Sequence, residues 1–270
     1  RLRQKYAGHP LLSMSLAPGA VWNMTAEGLV ATAEYSRASG LPVTMHILES
    51  PVDDEFCLQQ YGQRTFPFLA DLGLLSPRFV AVHGVHLQEE DLALMQQFGV
   101  KFSHNPVSNM ILGSGIAPLP EVLARGIPTG LGTDGAASND SQNMLEVMKT
   151  AAILHKAHRL DASLVTAGEA LRMASCVGAA VIGLGEQTGS LQPGKCADLI
   201  VIDLEQPNTT PSFDPVSSLV YSGNTNNVDS VMVNGRFILE HGQFMTQAEY
   251  DVLRRAARKA WQLLEQSESA

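Results

Sequence analysis

A repeated alternation of short apolar segments and helical segments most constrains how this 270-residue chain folds. Each apolar segment is rich in β-branched residues, ends at a polar residue or a glycine, and is followed by a helical segment. The spacing of one strand plus one helix is what βα units require. The five predicted strands are Leu11–Leu16 before Ala17, Pro42–Met45 before His46, Phe79–Val82 before His83, Val100–Ser103 before His104, and Ile127–Gly132 before Thr133 and Asp134.

The segments between these strands carry helical signals. Thr25–Ser39 and Glu89–Phe98 have apolar residues at helical spacing, and the second stops at Gly99, a favourable C-terminal glycine. Short buried strands that alternate with helices predict a parallel sheet covered on both faces. Two architectures fit this pattern, an open doubly wound sheet and a closed eight-stranded barrel.

The residues at the strand ends favour the barrel. In a barrel the carboxyl ends of all strands converge on one face, which would bring His46, His83, His104 and Asp134 together. In an open sheet they would lie along one edge, and the sequence also lacks the Gly-rich turn of a dinucleotide-binding fold. The sequence therefore predicts an α/β fold of the (β/α)8 TIM type. Because five of the eight strands are found, we expect a barrel that is incomplete at its N-terminal side.

The second half of the sequence changes character. Thr166 and Glu169 have the spacing of a capping box, and Asn234-Gly235 is a strong hairpin turn signal. The predicted elements are helices over Gln142–Lys156, Thr166–Gly183 and Gln247–Leu264 and strands over Ala197–Asp203 and Asp229–Leu239.

Turn-rich sequence from Gly185 onward separates the βα units from the later strands. We therefore predict three parts. They are a partial (β/α) barrel over residues 1–184, part of a composite β-sandwich domain over 185–245, and a C-terminal helix over 246–270.

Charge and cysteine content limit the partners of this chain. The formal net charge is −9 and no Lys/Arg run could hold a phosphate backbone, so nucleic acid is excluded as a partner. No apolar stretch reaches the ~20 residues that a membrane helix needs. Cys57, Cys176 and Cys196 follow no paired spacing and indicate reduced thiols in the cytoplasm. A small molecule is the expected partner, and the sequence leaves open whether the chain forms a homo-oligomer.

Imidazole and carboxylate groups at the strand ends indicate a divalent metal site. His46 directly follows a strand, and Asp134 follows a glycine-bearing buried strand, where an unpaired carboxylate costs several kcal/mol. Both are predicted ligands of one divalent ion, Zn²⁺ or a similar metal, and such an ion lowers the pKa of a bound water to about 7. Glu49, His83 and Asp134 are the predicted catalytic groups, and His83 is alternatively a third ligand. The structural alternatives are a buried hydrogen-bonded His46 and an N-cap role for Asp134.

The segment Ser103–Asn109 is predicted to be a sharply turning loop that lines the cleft. His104 is predicted either to act directly or to orient another group by hydrogen bonding. Asn105 is predicted to contact the substrate, and Ser108 and Asn109 are predicted to fix the loop.

These motifs together resemble the amidohydrolase superfamily, in particular its methylthioadenosine/S-adenosylhomocysteine deaminase and triazine hydrolase (chlorohydrolase) branch. The resemblance extends over nearly the whole chain and is carried by the order and spacing of its motifs. The resembling stretches are His46–Glu49, His83–Leu87, Ser103–Asn109, Ser114–Pro118, Leu131–Asn139, Gly189–Asp198 and Val231–Gly235.

The resemblance implies that the five strands are the fourth to the eighth of the barrel. It implies that His46 and Asp134 bind the metal, that Asp134 is also the general base, and that His83 assists the attacking water. Glu49 would contact the substrate ring and transfer its proton. The sequence departs from the family in lacking the first-strand His-x-His pair. It also has Gly19 where nucleoside deaminases of this branch tend to have a substrate-contacting histidine, and Trp22 is predicted to stack on a heterocycle instead.

The resemblance thus implies an aminohydrolase, a hydrolase of carbon–nitrogen bonds other than peptide bonds. Its expected reaction is hydrolytic deamination of an amino-substituted heterocycle such as a purine or nucleoside by a metal-activated water. A first alternative keeps the scaffold and changes the leaving group to chloride or an alkylamine, as in triazine hydrolases. A second alternative is an inactive fragment or binding subunit without the His-x-His ligands.

Overall fold

The structure, a computed structural model, describes residues 2–245 and 249–268. Its centre is a five-stranded parallel sheet whose strands pair in chain order, each with the next. This confirms the predicted α/β fold with a parallel sheet. Within the described residues the sheet is open, so the closed barrel stays a prediction. The strands are β1 Leu16–Gly19, β2 Val43–Ile47, β3 Phe79–His83, β4 Lys101–His104 and β5 Thr129–Leu131.

Helices connect the strands and continue beyond the sheet. Gly99 adopts the left-handed conformation of the predicted C-terminal glycine, and the Thr25 hydroxyl caps another helix by accepting from the Gly28 amide. The helices are α1 Leu2–Lys5, α2 Ala26–Ser39, α3 Val52–Tyr61, α4 Thr65–Asp71, α5 Glu89–Phe98, α6 Pro106–Ile111, α7 Leu119–Ala124, α8 Ala136–Asn139, α9 Met144–Arg159, α10 Ala167–Ala174, α11 Cys176–Val181, α12 Pro215–Ser222 and α13 Glu249–Glu268, with 3₁₀ turns at Val21–Asn23 and Thr225–Asn227.

The main core lies between the sheet and the helices that follow its strands. Along β2, Val43, Met45 and Ile47 are buried on this side, as the alternation of side chains in a strand requires. Thr44 and His46 lie on the opposite face and are more exposed. That opposite face, together with α10 and α11, lines a cavity of about 390 Å³.

A second sheet is antiparallel and follows α11 in sequence. Its strands are β6 Leu199–Ile202, β7 Val228–Val233, β8 Arg236–Glu240 and β9 Gln243–Phe244, in that order. Asn234 and Gly235 both have positive φ, 48° and 77°, which makes the β7–β8 connection the predicted hairpin turn. None of the described helices is long and apolar enough to cross a bilayer.

The strand predicted over Leu11–Leu16 is wrong, because β1 begins only at Leu16. The Leu16 amide donates to the Pro42 carbonyl, and this is where pairing with β2 starts, while Leu11 and Leu12 are exposed. His46 lies inside β2 rather than after it.

The predicted helix boundaries need three corrections. The helix predicted over Thr166–Gly183 is two helices, because Ser175 leaves the helical conformation at φ −126°, ψ −101°. The helix predicted over Gln142–Lys156 begins later, since Asn143 caps it, and ends at Arg159. The last helix ends at Glu268 rather than at Leu264, and its predicted start, Gln247, lies outside the described residues.

Candidate metal and catalytic site

Three side chains from separate parts of the parallel sheet converge at one place. His46 comes from β2, His83 from the end of the adjacent strand β3, and Asp134 from the connection after β5. Each offers a ligand atom, and these atoms all lie within 4.8 Å of one another. The two imidazole rings are tilted by 53° with centroids 5.2 Å apart. We refer to His46, His83 and Asp134 as the donor cluster.

The backbone turns abruptly at two members of the donor cluster. His83 and Asp134 have φ values of 73° and 63°, in the left-handed region that costs a non-glycine residue about 1–2 kcal/mol. Gly84 follows with φ 55°, and a Cβ there would lie 2.5 Å from the ring of Phe102. Strained backbone that surrounding structure maintains is typical of functional positions.

The Asp134 carboxylate is held by two hydroxyl groups. Its Oδ2 atom accepts hydrogen bonds from Ser108 Oγ at 2.7 Å and Ser138 Oγ at 2.8 Å. Burial by itself raises the pKa of Asp134, but the hydrogen bonds from Ser108 and Ser138, together with the Gly135 amide and the nearby His83, hold the pKa below its ordinary value. Asp134 is therefore ionised at neutral pH, the state that a metal ligand or a general base requires.

His83 lies between an amide and a carboxylate. Its ring is 1% exposed, and Nδ1 is 2.9 Å from Asn109 Oδ1. On the other side Nε2 is 3.8 Å from Glu49 Oε2. Glu49 Oε1 in turn is 3.5 Å from the Ser114 hydroxyl. The structure therefore brings Glu49 next to the donor cluster through His83.

The turn that carries Glu49 is stabilised by hydrogen bonds to Asp53. The buried Asp53 carboxylate accepts hydrogen bonds from the backbone amides of Leu48 and Glu49. Burial raises the pKa of Asp53 to about 6, although these two hydrogen bonds lower it. No sequence pattern indicates this role, because an acid in the first turn of a helix is ordinary.

For three other predicted site residues the structure shows contacts with groups outside the donor cluster. His104 packs on the helix side of β4, where its Nε2 is 3.5 Å from Nε2 of His155 on α9. Asn105 is buried and accepts a hydrogen bond from Ser103 at 2.9 Å. Trp22 lies in a 3₁₀ turn with 54% of its surface exposed.

Two of the residues around the donor cluster were not singled out from sequence. Ser114 and Ser138 are polar loop residues of a common kind, and only the folded chain brings them to Glu49 and Asp134. Ser108 and Asn109, which were expected to fix their loop, contact the donor cluster directly.

The donor cluster fits a divalent cation. Two imidazoles and one ionised carboxylate are a set that Zn²⁺ accepts, and a catalytic zinc commonly has three protein ligands. The Nδ1 contact of His83 with Asn109 leaves Nε2 available, and Asn109 is the kind of partner that orients a metal-binding histidine.

Known proteins similar to this chain include nucleoside deaminases. A 5-methylthioadenosine/S-adenosylhomocysteine deaminase of Syntrophobacter fumaroxidans is 37% identical over 254 residues, which are 94% of this chain and 58% of that protein. A 5'-deoxyadenosine deaminase of Methanopyrus kandleri is 35% identical over 253 residues, again 94% and 58%. The chain thus spans 58% of the length of these curated relatives.

Solved structures of similar fold include zinc-containing hydrolases. An adenosine deaminase from Xanthomonas campestris with bound zinc has a TM-score of 0.93 at 32% identity, covering 95% of this chain and 58% of that one. An atrazine chlorohydrolase from Arthrobacter aurescens complexed with zinc has a TM-score of 0.90 at 26% identity, covering 95% and 57%. The resemblance inferred from the sequence motifs is thereby confirmed. The amidohydrolase family matches residues 3–238, which include the parallel sheet and the whole donor cluster, and the chain belongs to this family.

Proposed function

We propose that this protein hydrolytically deaminates an amino-substituted heterocycle of the purine nucleoside class. The observation that carries the proposal is the convergence of Glu49 and the donor cluster, which joins a proton donor, a base and metal ligands at one place. The relatives named as deaminases of methylthioadenosine, S-adenosylhomocysteine and 5'-deoxyadenosine support this substrate class.

We propose that His46 and Asp134 of the donor cluster hold one divalent ion, that this ion is Zn²⁺, and that His83 is either a third ligand or the group that orients the attacking water. A bound zinc ion would supply Lewis acidity and would lower the pKa of a water molecule to about 7. Zinc in two solved structures of similar fold supports this choice. Both roles left open for His83, third metal ligand and water-orienting group, use its Nε2 atom.

The proton transfers are assigned to three side chains of this chain. Asp134, ionised because two serines donate to it, takes a proton from the attacking water. His83 orients that water through Nε2, the nitrogen that faces Glu49. Glu49 is close enough to the same space to give a proton to a ring nitrogen as water adds to the carbon that bears the amino group. Trp22 and Asn105 are kept as proposed substrate contacts.

We further propose that the five parallel strands are strands four to eight of an eight-stranded barrel. Their pairing in strict chain order supports this, because it is the order that a barrel wall has. The cavity along the inner face, lined by Thr44, Val80, Val82 and Ser103, lies where the interior of a barrel would be. The division into parts at residues 184 and 245 is proposed with it.

The activity is tested with the purified zinc-loaded protein and a panel of heterocycles. Ammonia release from adenosine, 5'-deoxyadenosine, methylthioadenosine or S-adenosylhomocysteine is the expected result. Asp134→Asn and Glu49→Gln should each lower the rate by about 100-fold or more, since each removes a proton transfer. Chloride release from a chlorotriazine with no ammonia from any ring would favour the chlorohydrolase instead. Substoichiometric zinc and no turnover would favour a binding subunit.

A further inference from the structure

We propose that Asn109 is a positioning residue that fixes the tautomer of His83, so that Nε2 is the unprotonated nitrogen facing Glu49. This inference rests on the proposed function for its catalytic consequence. The hydrogen bond itself and the state of the ring can be measured without any substrate.

The contact between the two side chains is short and shielded from water. Asn109 Oδ1 lies 2.9 Å from His83 Nδ1, and both residues are 1% exposed. An amide oxygen can only accept, so Nδ1 must carry the proton in this hydrogen bond. In neutral imidazole the other nitrogen then has a free lone pair, and it lies 3.8 Å from Glu49 Oε2.

Asn109 lies on a short helix that also holds the second proton-transfer group. Ser108, its neighbour on α6, donates to Asp134 at 2.7 Å. The helix is anchored at both ends, because Pro106 begins it and the Asn109 carbonyl accepts from the Ser114 amide at 2.9 Å. One buried helical turn therefore orients both His83 and Asp134.

The opposite orientation of the Asn109 amide would give the opposite tautomer. In the structure Asn109 Nδ2 is buried and has no hydrogen-bond partner among the described residues. Turned around, Nδ2 would donate to Nδ1, and Nε2 would carry the proton and could neither bind a metal nor accept a proton. The two orientations therefore predict distinguishable states of one ring.

The state of the His83 ring can be read by long-range ¹H–¹⁵N NMR of the histidine-labelled full chain. The His83 signals are those that disappear in a His83→Gln variant. We expect Nδ1 to show the shift of a protonated nitrogen and Nε2 the shift of an unprotonated or metal-bound nitrogen. A protonated Nε2 would overturn the proposal.

Two substitutions of Asn109 test its role. Asn109→Asp, which can only accept, should keep the wild-type ring state. Asn109→Leu, similar in size and unable to accept, should increase the population with Nε2 protonated. An unchanged ring state in a folded Asn109→Leu variant would contradict the proposal. Asn226→Leu, an exposed position in a distant 3₁₀ turn, is the control and should leave the His83 signals unchanged.

Kinetics then test the catalytic consequence. Asn109→Leu should lower kcat by about 10–100-fold with KM changed less than about threefold, and Asn109→Asp should recover most of this loss. An equal loss in both variants, or a loss confined to KM, would contradict a positioning role. If no heterocycle is deaminated, the proposed function fails, while the NMR result still decides the role of Asn109.

Discussion

Two serine hydroxyls orient the Asp134 carboxylate by hydrogen bonding, and removing one of them should weaken metal binding. Ser108→Ala deletes the 2.7 Å hydrogen bond and should lower zinc affinity by about 10–100-fold. Competition with a chromogenic chelator measures this. Ser163→Ala is a matched control, because that hydroxyl also donates to an aspartate, Asp161, but at the surface. An affinity change as small as that of the control would show that Ser108 does not orient the ligand.

The buried pair of His104 and His155 should make the stability of the protein fall in acid. Burial lowers the pKa of His104 to about 3 and that of His155 to about 4, from an ordinary value of 6.5. Below pH 6.5 the unfolded chain therefore binds more protons than the folded chain. The stability that the two neutral histidines contribute is fully present above pH 6.5 and is lost as the pH falls through the two lowered pKa values.

Urea unfolding at about pH 7.5 and about pH 4.5 tests this pair. Between these two pH values the free energy of unfolding of His155→Gln should fall by about 2–3 kcal/mol less than that of the wild type, because glutamine does not titrate. His9→Gln, at an exposed position elsewhere in the chain, should keep the wild-type dependence. Equal pH dependence in all three proteins would contradict the expectation.

At the scale of single residues the sequence could indicate which groups gather but not which way each points. His46, Glu49, His83 and Asp134 were named because carboxyl ends of parallel strands meet at one face. His104 also ends a strand, yet it lies on the same face of β4 as Phe102, with which its ring stacks. Because side chains alternate along a strand, a shift of one residue in where the strand ends decides the face.

Among the structural elements, the turn after β3 depends on glycine at position 84. Gly84→Ala adds a Cβ that meets Phe102 and Leu87 at 2.5 and 2.6 Å while φ stays positive. We expect it to lower the free energy of unfolding by about 2–5 kcal/mol, from crowding and backbone strain together. Thermal or urea unfolding measures the loss.

Gly62→Ala is the matched control for this turn. Gly62 ends α3 with φ 73°, but nothing lies within 4 Å of an added Cβ. Its substitution should cost only the backbone strain, about 1–2 kcal/mol. Equal losses in both variants would mean that the crowding at Phe102 relaxes freely.

Elements with strong local signals were predictable, and those set by pairing were not. The helix Glu89–Phe98 was predicted to the residue, because its apolar spacing and Gly99 mark it locally. Leu11–Leu16 looks like a strand, but strand formation needs a neighbour, and the pairing with β2 begins only at Leu16. The break at Ser175 likewise depends on packing, since the sequence around it remains apolar and helical in spacing.

At the scale of the whole molecule, bound zinc should stabilise the parallel sheet. Its proposed ligands His46 and Asp134 come from β2 and the connection after β5, so binding favours the folded sheet over the unfolded chain. Zinc at a hundred times its Kd should add about 2.7 kcal/mol, which corresponds to a Tm rise of about 5–10 °C. A thermal-shift assay with and without chelator measures this.

His46→Ala and Asp134→Ala should each abolish the thermal shift. Magnesium at the same concentration should give little or none, since it prefers six oxygen ligands. A zinc shift that persists in Asp134→Ala would place the stabilising ion elsewhere in the protein. At this scale the sequence predicted the parallel sheet, whereas the closure of a barrel depends on pairing partners that the βα pattern alone does not supply.

The left-handed backbone at His83 and Asp134 bears on how this sequence should drift over evolutionary time. Both residues adopt a backbone conformation that glycine would adopt without a steric penalty. Selection for the reaction is then what maintains these two residues against a change that relaxes the fold. In a lineage released from that selection, glycine should appear early at position 134, the less buried of the two, and such sequences should encode proteins that have lost the activity.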